Sequence, residues 1–305
     1  MSTPTVRHER VELPGHGLTL AADRWAGVDA RAKGIVVLLH GGGQTRHSWR
    51  ATGERLGRFG WIAYAVDLRG HGDSDWSGGA EYGLSAHLGD LLALVEEVRR
   101  RDPGLPLGAV GASLGGLVSL LAAGEYPDLV ESLVLVDVVV RVEESGSARV
   151  RDFMMSAPDG FESLEQASAA IAAYNPHRRR TGSVEGLKKN LRLRGERWHW
   201  HWDPRTIELA SSPADPELPI SPAAYERSKS AARRIECPVL LVRGKMSDVV
   251  SDEGVAEMRE LIPRLQVVDV RGAGHMVAGD DNDVFTAGLL EFLDQSMVGT
   301  PQGPL

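Results

Sequence analysis

One serine in this chain stands between paired glycines, in the run Val110-Gly111-Ala112-Ser113-Leu114-Gly115-Gly116. An apolar run, Leu107 to Ala112, leads into it, and a small-residue, leucine-rich run, Leu114 to Ala123, leaves it. The spacing is Gly-x-Ser-x-Gly, and its flanks predict a strand turning sharply into a helix. Small neighbours are needed because a side chain at Gly111 or Gly115 would collide with so tight a turn. The chemistry open to such a serine is nucleophilic attack. A hydroxyl is a weak nucleophile, so it needs an adjacent base and a carboxylate that orients the base.

The base candidate is His275, in Gly272-Ala273-Gly274-His275-Met276, just after the last predicted strand. Two carboxylates could orient it. Asp248 follows the strand that ends in Val242-Arg243-Gly244, and Asp137 ends the strand after the serine's helix. The expected chain order is nucleophile, acid, base, which both satisfy. Asp248 is preferred because its loop neighbours the histidine loop, with Asp137 the alternative.

A second cluster of chemistry-bearing residues is Trp198-His199-Trp200-His201-Trp202-Asp203, holding three of the seven tryptophans. His199-x-His201-x-Asp203 has a metal-like spacing. Pro204 stands where a further histidine would follow, and no other His/Cys cluster exists. No metal and no cofactor is therefore expected. Trp198, Trp200 and Trp202 alternate by two, so in an extended segment they face one side together. At least one is expected to line an apolar pocket above Ser113. The basic run Arg178-Arg179-Arg180 reads as a solvated face, with an anionic substrate as the other option.

The elements that must position these residues alternate. Strands are predicted at Val6–Leu13, Leu18–Trp25, Gly34–His40, Trp61–Asp67, Leu107–Ala112, Leu133–Asp137, Pro238–Arg243 and Leu265–Val270. Helices are predicted at Trp49–Phe59, Ser85–Arg101, Leu114–Ala123, Ser251–Leu261 and Val284–Gln295. Runs apolar throughout suit a parallel sheet covered on both faces. The alternation stops between residues 139 and 235. That block reads as a helical cap inserted after the sixth strand, at the sheet edge where ligands of α/β sheets bind. Residues 1–138 and 236–305 are then the core.

Composition narrows the partners. Hydrophobic residues are 42%, charged residues 25%, and the net charge is −8, which argues against a nucleic-acid surface. Met1 to Arg10 lacks the apolar core of a signal peptide, and no run is long enough to span a membrane. The expected compartment is the cytoplasm. Cys237, the single cysteine, reads as a small buried hydrophobe.

His40-Gly41-Gly42-Gly43 with Trp49 beyond it, Asp67-Leu68-Arg69-Gly70-His71-Gly72-Asp73-Ser74, Gly111 to Gly116, Asp248 and Gly274-His275 together resemble the α/β-hydrolase superfamily. The resemblance is to its capped, esterase-like and epoxide-hydrolase-like branch. It implies that the loop after His40 supplies one oxyanion-hole N–H, from Gly42, and that Leu114 supplies the other. It also implies that the Asp67 to Ser74 run is structural, with His71 packing and hydrogen bonding. Relatives that open epoxides or remove halide use an aspartate nucleophile, so Ser113 argues against both chemistries. The expected activity is hydrolysis of a carboxylic ester or lactone, apolar or aromatic in its non-reacting part, through an acyl-enzyme on Ser113. The alternatives are C–C bond hydrolysis or perhydrolysis with the same residues, or a member of the fold that binds without turnover.

Overall fold

The computed structural model describes residues 5–28, 31–174, 184–209, 216–270 and 283–298. His275 with its loop, the Arg178–Arg180 cluster and the tail from Gly299 lie outside these residues. The first half of the chain runs β1 (Val6–Pro14), β2 (Thr19–Gly27), β3 (Ile35–Leu39), α1 (Arg50–Arg58), β4 (Ile62–Val66), α2 (Leu84–Arg101), β5 (Leu107–Ala112), α3 (Leu114–Glu125) and β6 (Ser132–Val136). After an insertion it resumes with β9 (Val239–Gly244), α8 (Asp252–Leu261), β10 (Gln266–Val270) and α9 (Asp283–Leu293).

The strands form one sheet in the order β1-β2-β4-β3-β5-β6-β9-β10. β2 is antiparallel to β1 and β4, and the other pairs are parallel. Burial explains the sequence pattern. Ile35-Val36-Val37-Leu38-Leu39 is buried at every position. Side chains alternate across a strand. Val37 and Leu39 therefore pack with α2 and α3 on one face, against Leu91, Val95 and Leu120. Val36 and Leu38 pack on the other face with Leu56 of α1 and Leu289 of α9. Each fully buried aliphatic side chain contributes about 1.5–3 kcal/mol, so both faces of the sheet are sealed.

The insertion follows β6, as expected. It carries α4 (Glu144–Met155), α5 (Leu164–Tyr174), a hairpin of β7 (Leu191–Arg194) and β8 (Arg197–Trp200), α6 (Arg205–Leu209) and α7 (Pro222–Ala232). The hairpin adds strand to a block expected to be helical. Its small core is Phe161, Leu164, Ala167 and Leu191, with Trp198 and Trp200 packed against it. α7 starts on a Ser221 side-chain cap with Pro222 in its first turn. Its Ala224, Ala231 and Ala232 join the core on the α3 side of the sheet. The last helix of the 139–235 block thus packs as part of the core.

Candidate active site

Four of the described candidate segments follow the C-terminal ends of adjacent parallel strands. Gly41 to Gly43 follow β3, Ser113 follows β5, Asp137 follows β6 and Asp248 follows β9. This is where the two faces of covering helices part and leave a crevice.

Ser113 has φ +46° and ψ −114°, a strained conformation for a residue with a side chain. Close packing maintains it. A Cβ at Gly111 would lie 2.3 Å from the Gly115 carbonyl oxygen, and one at Gly115 would lie 2.6 Å from that of Leu39. The Ser113 N–H donates to the Val136 carbonyl at 3.1 Å, and its own carbonyl accepts the Leu117 N–H at 2.9 Å. The serine is thus pinned between β6 and the first turn of α3. Leu114, the first residue of α3, has an N–H with no partner among the described residues, as expected at a helix start.

The loop after β3 faces this turn. A Cβ on Gly41 would sit 3.2 Å from that of Ser113. His40 is buried and fixes the loop's root: its Nε2 accepts the Leu68 N–H at 3.0 Å and its Nδ1 donates to the Gly41 carbonyl at 2.8 Å. The Gly41 N–H donates to Gln44 Oε1 at 3.1 Å, and the Gly43 N–H donates to His71 Nε2 at 3.1 Å. The Gly42 N–H between them donates to nothing among the described residues.

The two aspartates differ in setting. Asp137 is 1% exposed and has φ +52°. Its Oδ1 accepts the Gly244 N–H at 3.0 Å and its Oδ2 accepts the Ser247 hydroxyl at 2.7 Å. Asp248 is one-third exposed, and its Oδ2 accepts Arg149 Nη1 at 2.7 Å. Arg149 belongs to α4 of the insertion and also donates to the Tyr174 carbonyl at 2.6 Å. The structure therefore brings Ser113, the Gly41–Gly43 loop and Asp137 together, and ties Asp248 to the insertion.

Known proteins answer to this arrangement. A family model described as serine aminopeptidase, S33, matches residues 30–171. The esterase Rv0045c of Mycobacterium tuberculosis is 32% identical over 274 residues, spanning 86% of this chain and 82% of its own. The chain belongs to the α/β-hydrolase superfamily of serine hydrolases. An N-formylmaleamate deformylase of Pseudomonas putida is 29% identical over 251 residues, 82% of this chain and 85% of that one. Among solved structures, the M. tuberculosis esterase superposes with a TM-score of 0.70 at 28% identity, covering 96% of this chain and 93% of that one. An E-2-(acetamidomethylene)succinate hydrolase superposes with a TM-score of 0.76 at 23% identity, covering 94% and 100%, which shows the shared fold.

In this hydrolase the insertion reaches down to the sheet edge. The Met154 methyl lies 2.8 Å from where a Gly43 Cβ would stand, so α4 covers the loop. Two of the three tryptophans are found in an aromatic stack. Trp200 lies 4.8 Å from Trp202, nearly parallel, with Phe161 and Phe153 edge-on to it. Trp198 and Trp200 share one side of β8, as their alternation predicts. Trp200 Nε1 is buried with no hydrogen-bond partner among the described residues. Trp202 is buried, and its backbone pairs with His71.

His201 and Asp203 are engaged elsewhere. Asp203 accepts Tyr82 Oη at 2.6 Å and Arg205 Nε at 2.9 Å, while His201 leans toward Asp73. Among the described residues no group of three metal-type ligands stands together. No helix among them is long and apolar enough to cross a membrane. Sequence reasoning missed Arg149, Met154, Gln44 and Ser247, which become neighbours of the site only through folding. The Arg149 contact of Asp248, from another element, is likewise absent from the sequence pattern.

Proposed function

We propose that this hydrolase cleaves a carboxylic ester or lactone through an acyl-enzyme on Ser113. The observation that carries the reading is the strained Ser113 turn, with the N–H groups of Leu114 and of Gly42 in the adjacent loop unengaged among the described residues. Ser113 Oγ attacks the carbonyl carbon, and His275 takes its proton as base. The carbonyl oxygen becomes an oxyanion, which those two N–H groups receive. Preorganised donors of this kind are each worth about 10²–10³ in rate. His275 then passes the proton to the leaving alkoxide, activates water, and the acyl group departs as the acid.

For the orienting carboxylate we propose Asp137, reversing the preference drawn from sequence. Its burial, its place beside β5 and its two fixed donors support the choice. Asp248 spends its charge on a cap guanidinium, which competes with any imidazolium. The substrate is a small molecule, and the Phe153–Trp200–Trp202 stack supports an apolar or aromatic non-reacting part.

A second reading is cleavage of an amide-type acyl bond, favoured by the deformylase among the relatives. Two steps test the proposal. A fluorophosphonate should add one label, mapping to Ser113, and a panel of aryl esters, lactones and N-formyl amides then ranks the substrates. No label, or a label on another residue, sinks the acyl-enzyme. An N-formyl amide at the head of the panel selects the second reading.

A further inference from the structure

Three consecutive N–H groups in the Gly41–Gly43 loop meet different fates. The outer two are held by the side chains of Gln44 and His71, and the middle one has no partner among the described residues. We propose that His71 is a positioning residue for the oxyanion loop, and that it couples docking of the cap segment around Trp202 to presentation of the Gly42 N–H. The proposal deepens the reading of Gly42 as an oxyanion donor and rests on it.

The imidazole is fixed at both nitrogens. Its Nδ1 donates to the Arg69 carbonyl at 2.9 Å, which leaves Nε2 as the acceptor for Gly43. Arg69 is itself locked by Asp90, Nε to Oδ2 at 2.6 Å and Nη2 to Oδ1 at 2.7 Å, all of it buried. The ring packs edge-on against His40, 5.2 Å away, the residue that roots the same loop. Burial holds His71 down to about 4, so the acceptor nitrogen is unprotonated at neutral pH.

The backbone on either side of this ring is bonded to the cap. Gly72 N–H donates to the His201 carbonyl at 2.8 Å, and Asp203 N–H donates to the Gly70 carbonyl at 2.7 Å. Between them His71 pairs with Trp202. Any shift of the Trp202 segment must move the residue that holds Gly43. Met154 of the cap touches the loop at Gly43 too. The oxyanion loop is therefore set by the cap as well as by the sheet.

The test compares His71→Asn, too short to reach Gly43, with His71→Gln, whose amide oxygen can still accept. Active sites are counted by fluorophosphonate titration, so a poorly folded fraction does not count. For His71→Asn, kcat per site should fall about 10–100-fold, a fraction of the full donor's worth, with KM little changed. The inhibition constant of a trifluoromethyl ketone, which forms a tetrahedral oxyanion, should weaken in parallel. His71→Gln should recover most of both. A merely structural histidine would lower the melting temperature and leave kcat per site and the ketone's affinity within twofold, which overturns the proposal. Trp202→Ala combined with His71→Asn should reduce kcat by less than the product of the two single effects, because both act on one loop. Multiplicative effects overturn the coupling to the cap. If the wild-type protein takes no label on Ser113, the function reading fails with it; if it labels and the variants do not respond, this inference alone fails.

Discussion

The N–H of Ser113 is bonded at 3.1 Å to the carbonyl of Val136, the residue just before Asp137. The serine turn and the end of β6 are thereby one rigid unit. Both Ser113 and Asp137 adopt positive φ, at +46° and +52°, on neighbouring strand ends. Strain of this kind persists only where the surroundings over-determine it, and such positions cluster at active sites.

Replacing the serine is the first check. Ser113→Ala keeps the turn, since alanine carries the same Cβ and no glycine contact changes. Hydrolysis of an activated ester should drop by about 10⁴-fold or more, with a melting temperature close to wild type. Turnover above a trace in the purified variant would falsify the nucleophile.

The two aspartates separate by kinetics. Asp137→Asn should lower kcat by about 10²–10⁴-fold, because an amide there favours the wrong imidazole tautomer. Loss of the carboxylate also removes support for the imidazolium, so the acid limb of kcat/KM should move to lower pH. Asp248→Asn and Arg149→Ala should resemble one another instead. Each breaks the same tie between α4 and the core, so KM should change more than kcat and the limb should stay in place. A larger kcat loss in Asp248→Asn than in Asp137→Asn returns the acid to Asp248.

Stability should fall on mild acidification. Burial lowers His40 well below its ordinary value, and lowers His71 to about 4 and His87 to about 3. The unfolded chain takes up these protons near pH 6.5, before the folded chain does. Below that pH the unfolded state binds more protons, so stability rises with pH across the window. It is fully present above about pH 6.5 and is lost toward pH 4, at up to about 1.4 kcal/mol per pH unit per group. Urea unfolding at pH 7 and pH 5 should show the decrease. A midpoint that holds or rises on going to pH 5 contradicts neutral burial of these rings.

The tryptophans should not respond alike. Trp200 keeps a buried indole N–H without a partner among the described residues, beside Phe153 of α4. Trp200→Ala should raise KM for bulky aromatic esters more than for acetate esters. Trp198 lies against the cap's small core and under Lys188, 5.7 Å from its ring. Trp198→Ala should lower the melting temperature and leave the ratio of kcat/KM between large and small esters unchanged. Equal ratios in both variants would mean that the stack only packs the cap.

The sheet and its covering helices were legible along the chain because their cause is local. A five-residue run such as Ile35 to Leu39 is apolar on both sides and can be buried only inside a parallel sheet. The serine turn was legible for a related reason: Gly111 and Gly115 are required by contacts within a few residues of each other, so composition records them. The reading of Gly42 and Leu114 as donors followed from the family resemblance, not from the residue pattern. The cap hairpin was not legible. β7 and β8 are four residues each, and their apolar side chains serve a core of only a few residues, too short a pattern to show a period. The different surroundings of Asp137 and Asp248 were likewise beyond local reading. Asp137 ends one predicted strand and Asp248 follows another, and a contact that sets them apart is Arg149, 99 residues from Asp248 and brought to it by α4 folding back over the sheet. His71 shows the same division. Its motif announces a structural turn, but its hold on Gly43 and its pairing with Trp202 exist only where three distant segments meet. Backbone order is written in neighbouring residues, whereas the electrostatic partner of a side chain is decided by whichever segment tertiary packing sets beside it.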